Sequence, residues 1–323
     1  MKILYITPNA TDPLAFYRGT GPLSRMRRDY PMEYTHVEAV SWAMVVAHDL
    51  VFMQRPFSPQ HAEVLAMCKQ YGVPVIIDYD DWLYELMPDN PAYSLYEKNR
   101  GSLDQCRAGA DAIMVSNQHM KRMYAAKGSD TVVIPNAYDS EMFTPGVAEE
   151  RNKIVLWRGG SSHTQDLLSV RQGWVELVAK HSDWQFIFMH CYPWWLGHVP
   201  DNVKFIEGMN LIDYMEAIKK LAPAIMTHPL LDSDFNRCKS MCSWIEASHA
   251  GAAFVGPDFE EYDRPGLERY VPGSSESFFS VIDGLIREPA RIVHNAKLGQ
   301  AEILGPLSLR EVNKKRWELF KDR

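Results

Sequence analysis

Short apolar runs alternate with amphipathic segments along the whole chain. In the first half the runs Lys2–Thr7, Glu33–Val37, Leu50–Gln54, Pro74–Asp78, Ala112–Ser116 and Thr131–Pro135 are rich in Val and Ile. Each is bounded by Gly, Pro, Asn or Asp, which is the signature of a strand. Helical periodicity fills the gaps at Gln60–Tyr71, Tyr93–Arg107 and Asn117–Lys127. After a polar stretch from Asn136 to Asn152, the alternation restarts. Strands are expected at Lys153–Trp157, Trp184–Met189, Val203–Ile206, Ala224–Thr227 and Ala252–Val255. Helices are expected at Thr164–Lys180, Asp213–Leu221, Cys238–Ala250, Ser275–Arg287, Ala290–Leu304 and Leu309–Lys321. Ser308, with Glu311 three places on, has the spacing of a capping box for the last helix.

Such alternation predicts βαβ units around parallel sheets, hence an α/β protein of two Rossmann-like domains. The polar stretch reads as the linker, which puts one domain at 1–146, a second at 147–305 and a closing helix at 306–323. With 323 residues, 46% of them hydrophobic and 23% charged, the chain is long and apolar enough for two cores. No apolar run reaches the ~18 residues of a membrane span. The opening MKILYITPN reads as a first strand and not a signal peptide, so a cytoplasmic protein is expected. Five scattered cysteines do not make a disulfide framework. Cys238 and Cys242, four apart, are expected on one helix face, and with no second ligand pair at metal spacing no metal is expected. A net charge of −7 weighs against indiscriminate nucleic-acid binding.

In open parallel sheets ligands sit at the carboxyl ends of the strands, so the residues just after each strand carry the chemistry. After the first strand come Arg18-Gly19-Thr20-Gly21, where the glycines allow close backbone approach, and Arg25, Arg27 and Arg28 follow. The arginines are either a solvated helix face or a patch for an anionic substrate. Arg55 follows the third strand, as an anion contact or a structural ion pair. The fourth strand ends in Asp78-Tyr79-Asp80-Asp81, whose three carboxylates require cations or donors nearby. In the second half Arg158-Gly159-Gly160-Ser161-Ser162-His163 offers backbone N–H groups to an anion, without the Gly-Lys-Ser/Thr of a P-loop. Asn236, Lys239 and Ser240 open the next expected helix, at a place that suits a diphosphate, with Glu246 two turns on. His190 and Trp194-Trp195 also follow a strand, and packing accounts for them as well as function does.

Five segments together resemble the GT-B glycosyltransferases, specifically the retaining family-4 (group 1) type. They are Gln54–Pro56, Asp78–Trp82, Ile134–Pro145, Leu156–His163 and Phe235–Gly256, in order over nearly the full chain. The resemblance implies two Rossmann-like domains facing a central cleft, with the closing helix crossing back to the N-terminal domain. It implies transfer of a sugar, with retention and without a metal, from a nucleotide-diphosphate donor, a UDP-sugar, to an acceptor hydroxyl. Arg158 and Lys239 would meet the diphosphate, with Gly159, Gly160, Ser161, His163, Asn236 and Ser240 around it. Glu246 would hold the ribose, and Arg18, Gly21, Arg55, Asp78 and Asp81 would face the acceptor beside a catalytic Asp80. The implied acceptor is a glycan, a lipid-linked sugar or a hydroxymethylated DNA base, the last making this a phage-type DNA-modifying member. One departure stands out: many family members carry a second Glu eight positions before the one matching Glu246, and here that place is Cys238. The competing readings are a nucleotide-sugar epimerase on the same fold and a non-catalytic sugar-nucleotide-binding protein.

Overall fold

The computed structural model describes every residue except Pro8, Ala10, Thr11, Met87, Asp89 and His198, and of Ser161 the backbone alone. The chain divides into two compact units. The first comprises Met1–Ala137, Cys238–Ser240 and Leu309–Arg323, and the second Tyr138–Arg237 and Met241–Ser308.

The first unit is built on six parallel strands: β1 (Lys2–Ile6), β2 (Glu33–Val37), β3 (Leu50–Gln54), β4 (Val75–Tyr79), β5 (Ala112–Val115) and β6 (Thr131–Val133), in the order β2-β1-β3-β4-β5-β6. Every residue of β3 and β4 is buried, as expected of central strands covered by helices on both faces. The mixed polar β2 is left for the edge. The closing helix Leu309–Lys321 belongs to this unit. Its Leu309, Val312, Leu319 and Phe320 join the core around Ile3, Phe52 and Ile76, and the Phe320 and Phe52 rings lie 5.3 Å apart.

In the second unit β7 (Asn152–Arg158), β8 (Gln185–Met189), β9 (Val203–Ile206), β10 (Pro223–Thr227), β11 (Ala253–Pro257) and β12 (Leu267–Tyr270) are again all parallel, ordered β12-β11-β10-β7-β8-β9. Counted from β7, this is the doubly wound order whose direction reverses between β7 and β10. Trp157, Trp174, Phe186, Phe188 and Phe278 fill its core.

Most expected elements are present within a residue or two, and three differ. Tyr93–Arg107 is two helices, Tyr93–Lys98 and Arg100–Gly109, parted at Asn99, whose side chain donates to the Leu95 carbonyl at 2.8 Å. Thr164–Lys180 is parted at the buried Val170, one residue after Ser169, whose hydroxyl turns back onto the Asp166 carbonyl at 2.6 Å. The largest difference is at 238–250, where the helix starts only at Cys242. Residues 238–240 are claimed by the first unit instead: Asn117 donates to the Lys239 carbonyl (3.0 Å), Asn136 to the Ser240 hydroxyl (2.9 Å), and Lys239 to Asp81. Cys238 and Cys242 therefore share no helix face. β12 was not anticipated, because four residues at a sheet edge carry no alternation to read.

Candidate functional site

The reversal between β7 and β10 opens a crevice at the carboxyl ends of those strands, the place where such sheets take ligands. β7 ends in Arg158, whose Nε and Nη2 donate to the two oxygens of Glu246 at 2.7 and 2.6 Å. Glu246 lies on the helix Cys242–Ala250 and is buried, while the Arg158 side chain keeps 30% of its surface. Tyr214 donates to the same carboxylate at 3.0 Å, and its ring lies 5.6 Å from the guanidinium carbon. Burial disfavours the charge on Arg158, but Glu246 outweighs it and holds the pKa well above the ordinary arginine value. The guanidinium is thus fixed in direction and permanently charged, and its Nη1 makes no hydrogen bond among the described residues.

Behind the Gly-Gly turn, Asp166 is a hub. One oxygen accepts from the Leu231 amide and the Asn236 side chain, both at 2.8 Å, and the other meets His163 Nδ1 at 2.9 Å. With a carboxylate on Nδ1, that nitrogen carries the proton and Nε2 is the remaining polar atom of the His163 ring. The His228 ring, after β10, stands edge-on to His163 at 4.9 Å and is hydrogen-bonded through Nδ1 to Ser243. The two glycines differ. A Cβ on Gly159 would lie 2.7 Å from the Trp157 ring, whereas one on Gly160 would meet nothing nearer than 3.8 Å.

The corresponding edge of the first unit is occupied by ion pairs. Arg18 is fully buried, donates through Nε to both oxygens of Asp78 (3.0 and 3.1 Å) and through Nη1 to the Ile134 carbonyl and Asn136. Of the arginines expected at an anion-binding surface, which include Arg25, Arg27 and Arg28, Arg18 has its charge engaged by the Asp78 carboxylate, and Asp78 is equally enclosed. Arg316 of the closing helix is buried beside this pair with Nε and Nη2 unsatisfied, and burial, with Arg18 nearby, pushes its pKa down to about 9. At Gly21 a Cβ would lie 2.1 Å from the Phe16 carbonyl oxygen. The glycine serves the packing of its own helix entry.

Arg55, directly after β3, has a left-handed backbone (φ 50°) and grips Asp80 at 2.7 Å and Asp81 at 3.0 Å. Lys239 completes the group on Asp81 at 2.8 Å. Burial raises the Asp80 pKa in spite of Arg55. Asp81 caps no helix, because Trp82 and Leu83 are not helical.

In the second unit the structure pairs Arg158 with Glu246 and sets His163 close to Gly159, with His163 and Asn236 both on Asp166 and Asn236 also on the Leu231 carbonyl. It groups Arg55, Asp80, Asp81 and Lys239 in the first unit, where Ser240 is also held, so Lys239 and Ser240 do not head a helix. The Ser161 side chain lies outside the described residues. Asp166 and Tyr214 escaped the sequence reading, and His228, one of several histidines without ligand spacing, was given no role in it. Asp166 and Tyr214 sit inside helices, and no spacing links them to the strand ends. Among the described residues no group of three or more His, Cys, Asp or Glu side chains could hold a metal ion, and no helix is long and apolar enough to cross a membrane.

The sequence matches no family model and no curated protein. Solved structures do match. Sucrose-phosphate synthase from Thermosynechococcus elongatus superposes with a TM-score of 0.72 at 11% identity, over 99% of this chain and 98% of that one. HepE from Anabaena, in complex with UDP-glucose, gives 0.69 at 14% identity over the whole of both chains. UDP-GlcNAc 2-epimerase from Neisseria meningitidis, bound to UDP-GlcNAc, gives 0.58 at 12%, again over both whole chains. At such identities the likeness establishes the fold, two Rossmann-like units of the GT-B type.

Proposed function

We propose that the chain is a nucleotide-sugar-dependent glycosyltransferase that uses a UDP-sugar and retains the anomeric configuration without a metal. The observation that carries this reading is the Arg158–Glu246 pair at the end of β7, directly before the Gly159-Gly160 turn, at the reversal point of the second sheet. When a glycosidic bond to a diphosphate breaks, negative charge gathers on the leaving group. A preoriented cation there stabilises the transition state by about 3–4 kcal/mol. Arg158, locked by Glu246 and carrying an uncommitted Nη1, is built for that task. His163, with Nδ1 committed to Asp166, keeps Nε2 as the ring atom for a ligand contact in this reading. In this reading Arg55, Asp80, Asp81 and Lys239, grouped in the first unit, serve the acceptor, a glycan, a lipid-linked sugar or a hydroxymethylated DNA base. In this reading departure and attack occur on the same face of the sugar.

The UDP-sugars bound by HepE and by the epimerase on this fold support the donor class. The epimerase likeness also favours a second reading, interconversion of the nucleotide-sugar itself. Incubation with a panel of UDP-sugars, with and without glycan, lipid-linked and hydroxymethylated-DNA acceptors, separates the two. The glycosyltransferase reading expects acceptor-dependent release of UDP, lowered about 10²–10³-fold by Arg158→Ala. Conversion of the sugar at the same rate without acceptor would establish the epimerase instead. Absence of any nucleotide-sugar binding would sink both.

A further inference from the structure

Three non-glycine residues among those described have a left-handed backbone: Arg55, His190 and Ala222. Ala222 ends a helix, where this conformation is common. Arg55 and His190 each follow a strand directly, at its carboxyl end. The strain at Arg55 is offset by its grip on Asp80 and Asp81. His190, at φ 72°, has no such compensation: its ring is exposed and makes no hydrogen bond among the described residues. Strain of this kind persists where the surroundings impose it and is a pointer to function.

The surroundings do impose it. Met189 pairs with Arg158 on one side and Ile206 on the other, and the His190 amide donates to the Ile206 carbonyl at 2.9 Å. The backbone then turns, and the ring enters a notch that exists because residue 208 is glycine. A Cβ there would stand 1.8 Å from His190 Nδ1. The opposite edge of the ring faces the Gly-Gly turn, with Nε2 3.9 Å and Cδ2 3.8 Å from the position of a Cβ on Gly160. A group held by the backbone of the Gly-Gly turn therefore has an imidazole nitrogen close by. Arg158, two residues earlier in the same turn, offers a guanidinium. Two nitrogen groups at the ends of adjacent paired strands, one of them a fixed cation, beside a Gly-Gly backbone turn match an anion better than a base or an apolar ring.

The geometry points to His190 as a binding residue for the diphosphate of the nucleotide-sugar, with Gly208 as the notch that positions it. This rests on the reading of the second unit as the donor-binding unit. It assigns a role to a residue whose place in the sequence favours packing as much as function.

The test is the affinity for UDP and for uridine, by calorimetry and by competition, in wild type, His190→Gly, Gly208→Ala and Arg158→Ala. Glycine accepts φ 72° freely, so His190→Gly keeps or raises the melting temperature of the free protein. Loss of a hydrogen bond to a charged group is expected to weaken UDP about tenfold and leave uridine unchanged. Gly208→Ala, which displaces the ring without removing it, is expected to give a similar loss, and the double variant no further one. If His190→Gly binds UDP like wild type while Arg158→Ala does not, the inference fails and the donor-site reading stands. Equal losses for UDP and uridine in His190→Gly would overturn the diphosphate contact. If wild type binds neither UDP nor ADP, CDP, GDP or dTDP, the inference and the reading fall together.

Discussion

The strand ends of the two units use the same residue types in opposite ways. In the first unit the arginine is closed off: Arg18 and Asp78 have no exposed side-chain surface, and Arg18 has further partners in Ile134 and Asn136. In the second unit Arg158 is gripped just as firmly by Glu246, yet it keeps 30% of its side-chain surface and one nitrogen without a hydrogen bond among the described residues. The glycines repeat the contrast. Gly21 is pressed against the Phe16 carbonyl, while a Cβ on Gly160 would meet the His190 ring and the Ser162 hydroxyl only at ordinary contact distance, 3.8–4.0 Å. A pair that is fully enclosed holds a fold together, whereas a pair that is fixed but still reachable can act on something else. Residue type does not separate the two; enclosure does.

The comparison breaks most visibly at Asp78. Asp78→Asn leaves Arg18, with Arg316 beside it, as buried charge without a counterion, and should cost about 3–5 kcal/mol in urea unfolding. A loss below about 1 kcal/mol would mean that the enclosed pair is not structural.

A buried acid of the second unit gives the next effect. Glu261 has one oxygen unsatisfied, and its nearest cation, Arg264, is 3.9 Å away. Burial pushes its pKa up from 4.5 to about 8. The unfolded chain gives up this proton near pH 4.5 and the folded one only near pH 8, so between those values the folded state binds more protons. Stability contributed by this group therefore falls as pH rises across that window and levels off above it. Glu261→Gln should match wild type at about pH 5 and exceed it by a few kcal/mol at about pH 9. Equal midpoints at both pH values would show that the carboxyl is not held protonated.

The glycines give the smallest and most discriminating effect. Gly21→Ala forces its Cβ onto a backbone oxygen and should destabilise by about 1–3 kcal/mol. Gly160→Ala has room and should stay within about 0.5 kcal/mol of wild type in stability, while its UDP affinity drops. The reverse ranking would exchange the roles assigned to the two turns.

Much of this was legible in the chain. Central strands such as β3 and β4 are continuous apolar runs because both faces are covered, and such runs announce themselves. The position of Arg158-Gly159-Gly160 follows from the same rule, since a strand must end where its apolar run ends. The helix at 238–250 was misjudged for a physical reason. Its sequence has helical periodicity throughout, but Asn117, Asn136 and Asp81 bind residues 239 and 240 in another conformation, and tertiary contacts outweigh local propensity.

What the sequence determined by itself is the alternation of strands and helices, the two parallel sheets it entails, and the set of polar residues delivered to the strand ends. These depend on periodicity and turn chemistry, which act over a few residues. Only the tertiary structure decided which of those polar residues are used up. Whether Arg18 finds Asp78, 60 residues away, or Arg158 finds Glu246, 88 residues away, and whether solvent still reaches the pair, depends on how distant segments pack. Burial and partnership are properties of that packing, and they set which charges hold the fold and which remain available for a ligand.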